Sequence, residues 1–340
     1  MNNSLIICII FALAHSYICA RLNLGFDIEN DDEKCNTECN ADPSYFSTPG
    51  DFKITAEDRK YLPFDNNCQK TWKGPFTFVQ TADIQFGMQE RWFYDRIGWD
   101  KEMCQATQLM ADVNGMNPQP KFMVLCGDLI HPWPSTDTEI KDRREEQRDD
   151  FKRIFSGLEV PLVCVCGNHD VGNTPNNETI VTWKKNFGDD YFSFWVNGVF
   201  FIVINSSFFK DPTDTKELAA EQDKWLETQL EVVRTEKPKH TVMFQHIPWF
   251  MASSDEDNDY FNIDMVLRKK ILDQMYDAGV RYVFAGHWHR NGGGFYKDME
   301  LVITTASGVQ LGDDKAGYRV IKVMEDKIEH KFHILGNPPQ

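Results

Sequence analysis

Short apolar runs of strand length alternate with helical segments along most of this chain, and most of its polar motifs follow such a run. Strands that alternate with helices form a mostly parallel sheet with helices packed on its faces. Residues that follow the strands then meet outside the carboxyl ends of the sheet, where ligands bind in this architecture. The pattern therefore constrains the fold and the position of a site together. Five motifs carry it: Asp83-Ile84-Gln85, Gly127-Asp128, Gly167-Asn168-His169-Asp170, His246 and Gly286-His287-Trp288-His289.

The hydrophobic periodicity predicts the order of the elements from residue 72 onward. The last part, residues 294–334, has the pattern of short strands joined by turns, which indicates a second sheet packed on the first. The expected fold class is α/β, arranged as a four-layer α/β/β/α sandwich. Strands are predicted at 76–81, 121–126, 161–166, 191–196, 199–205, 240–245 and 281–285, and helices at 100–116, 137–157, 178–187, 215–235 and 262–279.

The composition is that of a globular chain with an acidic balance. Its 340 residues suffice for one large domain or two small ones, and 52 acidic against 36 basic residues give a formal net charge of −16. No basic surplus exists to displace counterions, so binding to a nucleic-acid backbone is not expected. A phosphorylated substrate stays compatible with this charge, because two divalent cations set the local sign in a cleft. The mixed-charge run 141–150 is interpreted as a solvated helix face, with a binding patch as the alternative.

The N-terminal segment has the pattern of a secretory signal peptide. Residues 5–14 are apolar, Ala20 offers a small residue for cleavage, and the run is too short to span a bilayer. An uncleaved anchor and a buried N-terminal helix are the alternatives. We expect a signal peptide at 1–20, a secreted or lysosomal location, and no stable membrane span in the mature chain. The other predicted boundaries are an acidic, cysteine-containing leader at 21–71, a domain at 72–334 and a tail at 335–340.

Seven of the nine cysteines lie after the predicted signal peptide, and their contexts divide them into two sets. Three end strand-like runs, and we expect them to be buried thiols that fill the core. Four lie outside such runs and are the candidates for disulfides in an oxidising compartment, with the pairing left open. The first set is Cys126, Cys164 and Cys166, and the second is Cys35, Cys39, Cys68 and Cys104.

Two Asn-x-Ser/Thr sequons are acceptors for N-glycosylation in a secreted chain. Asn177 stands in a polar stretch, and we expect it to carry a glycan. Asn205 ends a predicted strand near the proposed site, where a glycan is not expected.

The order of the motifs, which runs carboxylate, carboxylate, Asn-His, His and His-x-His, predicts a site for two metal ions. Hydrolysis of a phosphate ester requires a strong nucleophile at neutral pH and positive charge beside the phosphoryl oxygens, and two divalent cations about 4 Å apart supply both. Two close cations need a shared anionic ligand. Asp128 is the candidate, since Gly127 leaves space for a metal to approach. A simple turn is the alternative interpretation of this pair in isolation.

The Gly167-Asn168-His169-Asp170 motif combines a metal ligand with a proton donor. Asn168 has a carbonyl oxygen for the second metal and for substrate. His169 faces the substrate, where it protonates the leaving oxygen or binds the developing negative charge. Asp170 is expected to orient His169. A helix-capping turn is the alternative interpretation.

Three histidines complete the predicted site. His246 follows a strand and is interpreted as a neutral ligand beside Asn168 and His287. His287 and His289 are alternate residues on extended backbone, so both face the metal cluster from one side. Arg290 follows directly and is a candidate for binding the substrate phosphate, with a salt bridge as the alternative.

This set of motifs resembles the calcineurin-like metallophosphoesterase superfamily, whose sequence blocks run D-x-H, GD, GNH-D/E, H and GH-x-H. The likeness covers about residues 72–334, and segments such as 127–131 (GDLIH) and 245–250 (QHIPWF) are similar to a subfamily described as serine/threonine protein phosphatases. The resemblance implies that His169 is the catalytic histidine. It also implies Asp83, Gln85, Asp128 and His289 at the first metal, and Asp128, Asn168, His246 and His287 at the second.

The chain departs from the superfamily pattern at Gln85, where the block has His. The resembling subfamily also has Gln there. An amide oxygen is a harder and weaker ligand than imidazole, so the first site is expected to bind its metal loosely or to prefer manganese or magnesium. Purple acid phosphatases share the general pattern but carry a metal-binding Tyr shortly after the GD block. Leu129, Ile130 and His131 at this place argue against a tyrosinate–iron site.

The predicted function is hydrolysis of phosphomonoesters, in a phosphoprotein or a small molecule, with a metal-bridging hydroxide as the in-line nucleophile. The expected cofactors are two divalent ions of manganese, iron, zinc or magnesium. A phosphodiesterase of nucleotides or phospholipids stays open as an alternative, as does a metal-binding homologue without turnover in which Gln85 is the lesion. Trp133, Trp249 and Phe250 are predicted to be exposed near the site, where they stack on substrate or pack at the rim.

Overall fold

The computed structural model describes residues 52–339, which form two mixed β-sheets packed face to face between two layers of helices. One core of apolar side chains lies between the two sheets. Each sheet also has a core on its other face, where it packs against helices. This arrangement is the four-layer α/β/β/α sandwich that the alternating pattern predicted. The predicted signal peptide and most of the predicted leader lie outside the described residues.

The elements follow the predicted order, with short additions. The strands are β1 (Ala56–Glu57), β2 (Lys60–Tyr61), β3 (Phe76–Thr81), β4 (Met123–Cys126), β5 (Leu162–Val165), β6 (Phe192–Val196), β7 (Val199–Val203), β8 (Thr241–Phe244), β9 (Tyr282–Ala285), β10 (Gly292–Tyr296), β11 (Met299–Ile303), β12 (Gly317–Val323) and β13 (Ile328–Ile334). The helices are α1 (Met88–Tyr94), α2 (Asp100–Asn114), α3 (Thr138–Phe155), α4 (Asn168–Val171), α5 (Asn177–Phe187), α6 (Ser207–Lys210), α7 (Lys216–Glu236) and α8 (Met265–Ala278).

Local sequence signals fix several ends of these elements. The side chains of Asp137 and Asn176 accept hydrogen bonds from backbone N–H groups three residues on, which caps α3 and α5. Gly279 ends α8 in the left-handed conformation, with φ of 116°. Asn197 and Gly198 both have positive φ and join β6 to β7, as expected for a two-residue hairpin turn.

The five-stranded sheet has the order β13-β12-β3-β4-β5. Its strands β3, β4 and β5 are parallel, while β12 pairs antiparallel with both β3 and β13. The eight-stranded sheet has the order β1-β2-β6-β7-β8-β9-β11-β10, with β7, β8, β9 and β11 parallel. Both sheets therefore have a parallel centre, and the carboxyl ends of these central strands carry the loops of interest.

The strands after residue 290 are placed differently from the prediction. β10 and β11 extend the edge of the eight-stranded sheet, and β12 and β13 extend the edge of the five-stranded sheet. They do not form a sheet of their own, so that prediction is wrong. The pattern of a strand indicates which of its faces is buried, but its neighbour in the sheet depends on long-range contacts.

The sequence predicted that the domain starts at Trp72, but the sandwich begins earlier in the chain. β1 and β2 form a hairpin, and Lys60 of β2 pairs with Ser193 of β6 at the edge of the eight-stranded sheet. Tyr61 is 1% exposed and belongs to the core between the sheets. Residues 52–71 are thus part of the folded sandwich.

Aromatic side chains pack the two sheets together. Phe78 and Phe122 stack at a centroid distance of 4.9 Å, and Phe122 lies 5.2 Å from Phe201 of the opposite sheet. Aromatic pairs in such arrangements contribute about 0.5–1.5 kcal/mol each beyond the burial of their area. This packing fixes the loops at the carboxyl ends of one sheet relative to those of the other.

The cysteines at the ends of strands are buried free thiols, as predicted. Cys104 is disulfide-bonded, whereas Cys68 carries a free, exposed thiol, so the prediction that Cys68 is a disulfide candidate is wrong. Cys35 and Cys39 lie outside the described residues. Among residues 52–339, no helix combines the length and apolar character needed to cross a membrane.

Candidate metal centre

The seven candidate metal ligands gather in one buried cluster at the carboxyl ends of strands from both sheets. Loops after β3, β4 and β5 approach from the five-stranded sheet, and loops after β8 and β9 approach from the eight-stranded sheet. Each of these residues is at most 4% exposed. The ligands are Asp83, Gln85, Asp128, Asn168, His246, His287 and His289.

Five of these ligands have backbone φ angles in the left-handed region. A residue other than glycine held in this region costs of order 1–3 kcal/mol and persists only where its surroundings determine it. The first two loops are held in register by backbone hydrogen bonds of 3.0 Å that join Asp83 to Gly127 and Gln85 to Asp128. Concentration of such residues is typical of functional sites. The values are 53° at Asp83, 44° at Gln85, 54° at Asp128, 70° at His287 and 53° at His289.

Two glycines allow the loops to approach closely. A Cβ on Gly127 would overlap the imidazole of His246, and a Cβ on Gly167 would overlap the carboxylate of Asp128. Glycine is needed at both positions because the ligand from the next loop occupies the space of its side chain.

We call Asp83, Gln85, Asp128 and His289 the first half-site. Ligand atoms of Asp83, Asp128 and His289 lie within 4.8 Å of one another, and His289 Nε2 is 3.3 Å from Asp83 Oδ1. His289 Nδ1 donates to the carbonyl of Val309, which leaves Nε2 for a metal.

We call Asp128, Asn168, His246 and His287 the second half-site. Ligand atoms of Asp128, His246 and His287 also lie within 4.8 Å of one another. His246 Nε2 is 2.8 Å from Asn168 Oδ1 and 3.3 Å from Asp128 Oδ2. His246 Nδ1 donates to the carbonyl of Cys126 at 2.8 Å. Asp128 therefore faces both half-sites, as the role of a bridging ligand requires.

Two ligand atoms of the cluster, Gln85 Oε1 and His287 Nε2, are buried and make no hydrogen bond within residues 52–339, and Asp83 Oδ1 has only the 3.3 Å contact with His289 Nε2. A buried polar group without a partner costs about 1–3 kcal/mol, so these atoms together indicate that a further partner binds here. Carboxylate and amide oxygens with imidazole nitrogens suit divalent manganese, iron, zinc or magnesium. The residues thus fit two divalent cations that share Asp128.

The charges of the cluster reinforce one another. Burial disfavours the charged forms of Asp128 and His246, but their mutual attraction outweighs it. His246 and His169 hold the pKa of Asp128 well below its usual value. Asp128 and Asp83 raise the pKa of His246 to about 9. A metal ion must displace the His246 proton, so affinity for metal increases with pH.

His169 lies beside Asp128 and is half-buried. Its backbone N–H donates to Asp128 Oδ1 at 2.9 Å, and its Nδ1 donates to the carbonyl of His131. The indole of Trp133 stacks on the His169 ring at a centroid distance of 3.8 Å. Burial lowers the pKa of His169. These contacts fix the ring and leave Nε2 as the nitrogen that can meet a substrate.

The role predicted for Asp170 requires correction. Its carboxylate accepts hydrogen bonds from the backbone N–H groups of Gly167, Asp128 and Leu129, at 2.8 to 3.1 Å. Asp170 therefore ties the loop after β5 to the loop after β4. The carbonyl of His131 orients the ring of His169 instead, because both oxygens of the Asp170 carboxylate accept from backbone N–H groups.

The predicted exposure of two aromatic residues differs in the structure. Trp249 and Phe250 are fully buried in the core under the eight-stranded sheet, so the prediction that they are exposed is wrong. Apolar packing against neighbours far away in sequence decided their burial. Arg290 is exposed, and its guanidinium donates to the carbonyl of Leu311. Its role in binding phosphate stays a prediction.

Three residues that contact candidate ligands are absent from the predicted set. His131 Nδ1 lies 3.3 Å from Gln85 Nε2. Asn168 Nδ2 donates to the hydroxyl of Tyr260 and to Asn173 Oδ1, each at 3.1 Å. His131 had a local signal, as a polar residue at the end of the GDLIH segment. Tyr260 had none, because it is 92 residues away from its partner.

Arg144 also reaches the site, although it belongs to the run interpreted as a solvated helix face. Its guanidinium donates to the carbonyls of Pro132, His169 and Asp170. It joins the loop that carries His131 to the loop that carries His169. Its neighbours in the run are mostly exposed, as predicted.

Comparison with known proteins agrees with this geometry. A family model described as calcineurin-like phosphoesterase matches residues 76–291, a span that contains every candidate ligand. A protein named serine/threonine-protein phosphatase CPPED1 from Bos taurus is 44% identical over 287 residues, which cover 82% of this chain and 90% of the relative. The protein of that name from Danio rerio is 41% identical over 292 residues, 83% of this chain and 92% of the relative.

Among solved structures, a dimetal phosphatase from Danio rerio superposes with a TM-score of 0.56 at 14% sequence identity. The superposition covers 76% of this chain and 96% of that chain. At this identity the similarity shows the fold alone.

Proposed function

The chain belongs to the calcineurin-like phosphoesterase family, and we propose that it removes phosphate from serine and threonine side chains of proteins. Family membership makes it a metal-dependent phosphoesterase, and the ligand cluster agrees with this activity. One observation carries the choice of substrate. Proteins named serine/threonine-protein phosphatases are 41–44% identical to this chain over nearly their whole length.

The ligand cluster would hold one cation in each half-site. When bound, the two cations supply a strong nucleophile at neutral pH and positive charge on the phosphoryl oxygens. Asp128 faces both half-sites, so its carboxylate would help to hold either cation. The burial of every ligand keeps competing water away from these positions and strengthens their electrostatic effect.

His169 is the group that handles the proton of the leaving oxygen. Its Nδ1 proton is fixed by the carbonyl of His131, so Nε2 is the nitrogen that transfers a proton. A serine or threonine alkoxide is a poor leaving group and needs that proton. Burial lowers the pKa of His169, which makes its protonated form a stronger acid toward the alkoxide. Trp133 stacks on the ring and holds it in one orientation.

The experiment compares substrates on one preparation. The mature protein is stripped of metal, reloaded with manganese, zinc, iron or magnesium, and assayed on peptides that contain phosphoserine, phosphothreonine or phosphotyrosine. p-Nitrophenyl phosphate and its bis-p-nitrophenyl diester are assayed beside them. The expected result is metal-dependent turnover of phosphoserine and phosphothreonine peptides, with the monoester preferred to the diester.

Other outcomes would replace the proposal. Preference for the diester would favour the alternative of a phosphodiesterase acting on nucleotides or phospholipids. Turnover of p-nitrophenyl phosphate without any phosphopeptide would point to a small phosphomonoester as the substrate. If no substrate is hydrolysed although two metals are bound and the fold is intact, the result would favour a metal-binding homologue without turnover.

We also propose that the protein acts outside the cytosol, on phosphoproteins of the secretory route. The apolar run at residues 5–14, the disulfide bond of Cys104 and the exposed sequon at Asn177 support this location. Secretion from cultured cells, with an N-terminus near residue 21 by mass spectrometry and a mass loss on glycosidase treatment, is the expected result. An intact N-terminus in the cytosolic fraction would contradict it.

A further inference from the structure

The amide at Gln85 raises a problem of orientation that an imidazole at the same place does not have. A carboxamide has an oxygen with lone pairs on one side and an NH₂ group without a lone pair on the other. Only the oxygen can bind a cation. Gln85 therefore serves as a ligand only if something holds its NH₂ group away from the first half-site.

Among residues 52–339, His131 is the candidate for this task. Gln85 is 1% exposed, and its Oε1 makes no hydrogen bond within the described residues. Its Nε2 lies 3.3 Å from His131 Nδ1. Because Nε2 can only donate, His131 Nδ1 must accept, which places the proton of the imidazole on its other nitrogen. The amide oxygen is then the free end.

The backbone of His131 is itself held firmly. Its N–H donates to the carbonyl of Phe86 at 3.0 Å, and Phe86 forms a parallel bridge with Ile130. Its carbonyl accepts from His169 Nδ1. His131 thus touches a candidate ligand through its ring and the catalytic histidine through its backbone.

In the second half-site, different residues hold the NH₂ group of the Asn168 amide. Asn168 Nδ2 donates to Tyr260 and Asn173, while Asn168 Oδ1 faces His246. Both amides of the cluster therefore have their NH₂ groups occupied by acceptors from outside the ligand set.

We propose that His131 is the positioning residue that turns the oxygen of Gln85 toward the first cation, which allows an amide to serve where the superfamily block has imidazole. The inference rests on the metal-dependent part of the proposed function and is independent of the choice of phosphoprotein as substrate. The ring of His131 is a hydrogen-bond acceptor in this role and need not touch the metal.

Two substitutions at His131 test the acceptor. His131→Leu removes it, whereas His131→Asn can place a side-chain oxygen near the position of Nδ1. The stripped full-length protein is titrated with Mn²⁺ by calorimetry, and bound metal is counted by mass spectrometry. For His131→Leu we expect one of the two cations to bind about 10–100-fold more weakly, as is usual when a group that orients a ligand is lost. His131→Asn should stay within a few-fold of the wild type.

A second background separates positioning from a general structural role. Gln85→His replaces the amide with a ligand that has no NH₂ group to restrain. His131→Leu should therefore weaken Mn²⁺ binding in the wild type and leave it unchanged in the Gln85→His protein. Thermal unfolding checks that each variant is folded. If His131→Leu is unfolded, His131→Ala takes its place, since it also removes the acceptor.

Two results would overturn the proposal. One is unchanged affinity and a full count of two Mn²⁺ ions in folded His131→Leu protein. The other is an equal loss of affinity in the wild-type and Gln85→His backgrounds, which would assign the effect to the loop. Both are measured without a substrate, so failure of the protein to act on phosphopeptides would not be confused with either.

Discussion

The two half-sites share Asp128 and contain one amide each, yet they hold that amide differently. In the second half-site, Asn168 Oδ1 contacts His246 and its Nδ2 has two acceptors. In the first half-site, Gln85 Oε1 has no hydrogen-bond partner among the described residues, and its Nε2 has the single contact with His131. Similar donor atoms in the two half-sites are therefore organised to different degrees before a cation binds.

The lengths of the two side chains explain part of this difference. Asn168 is short and begins the one-turn helix α4, so few rotamers need to be excluded. Gln85 has one more rotatable bond and a backbone φ of 44°, so it loses more conformational freedom when its oxygen is fixed. The first half-site therefore depends more on its neighbours, and we expect it to be the weaker of the two.

The largest expected effect comes from the ligand that the half-sites share. Asp128→Asn removes the bridging charge, so we expect loss of at least one cation and of nearly all turnover. Metal counting by mass spectrometry and an assay on p-nitrophenyl phosphate measure both. Asp149→Asn, on the exposed face of α3, is the matched control and should change neither. Two tightly bound cations in Asp128→Asn would show that the half-sites are independent.

His169→Ala should leave both half-sites loaded, because the role proposed for His169 is to donate a proton and not to bind a cation. Loss of a general acid typically slows turnover by about 10²–10⁴-fold. The loss should be larger for phosphoserine peptides than for p-nitrophenyl phosphate, whose leaving group needs no proton. Steady-state kinetics on the two substrates, with metal content measured in parallel, test this. Emptied metal sites in this variant would make His169 a ligand and contradict its assigned role.

Tyr260→Phe tests how the amide of Asn168, which has two acceptors for its NH₂ group, is held. The hydroxyl accepts from Asn168 Nδ2, but Asn173 stays as a second acceptor, so the affinity for Mn²⁺ should fall by less than about tenfold. Titration of stripped protein measures this directly. A loss of Mn²⁺ affinity greater than that caused by His131→Leu would show that the amide of the second half-site depends more on its neighbours than the amide of the first.

A separate effect, on the stability of the fold rather than on metal binding, concerns the support of the first half-site. Glu102 of α2 accepts a hydrogen bond from Gln89 N of α1, at 2.8 Å, and so anchors the helix that begins shortly after Gln85. Burial raises the pKa of Glu102 to about 7. A carboxyl group with a raised pKa is most favourable to the fold when protonated, below its ordinary value, and this contribution is lost as the pH rises through 7.

Glu102→Gln keeps an acceptor for Gln89 and removes the buried charge. It should raise the free energy of unfolding by up to about 3 kcal/mol at pH 8, and by much less at pH 5, where wild-type Glu102 is largely protonated. Urea unfolding of both proteins at the two pH values gives the difference. Equal effects at pH 5 and pH 8 would contradict the pKa assignment.

Predictions from the sequence succeeded where the signal was local. The turn at Asn197-Gly198 and the ends of the central strands could be placed because a few neighbouring residues determine them. The position of Tyr61 in the core was missed, because its short strand carries too few residues to show a pattern. The burial of Trp249 was missed because the loop around it has no periodicity, and distant residues cover it.

By itself, the sequence determined the kind of fold and the chemistry at its centre. Apolar periodicity decides which segments become strands and helices, and polar residues directly after parallel strands meet at one edge for topological reasons. Only the tertiary structure decided how each ligand is oriented. His131 is 46 residues from Gln85, and Tyr260 is 92 residues from Asn168. Hydrogen bonds over such separations form only when loops from different strands are packed against each other, and no local pattern encodes them.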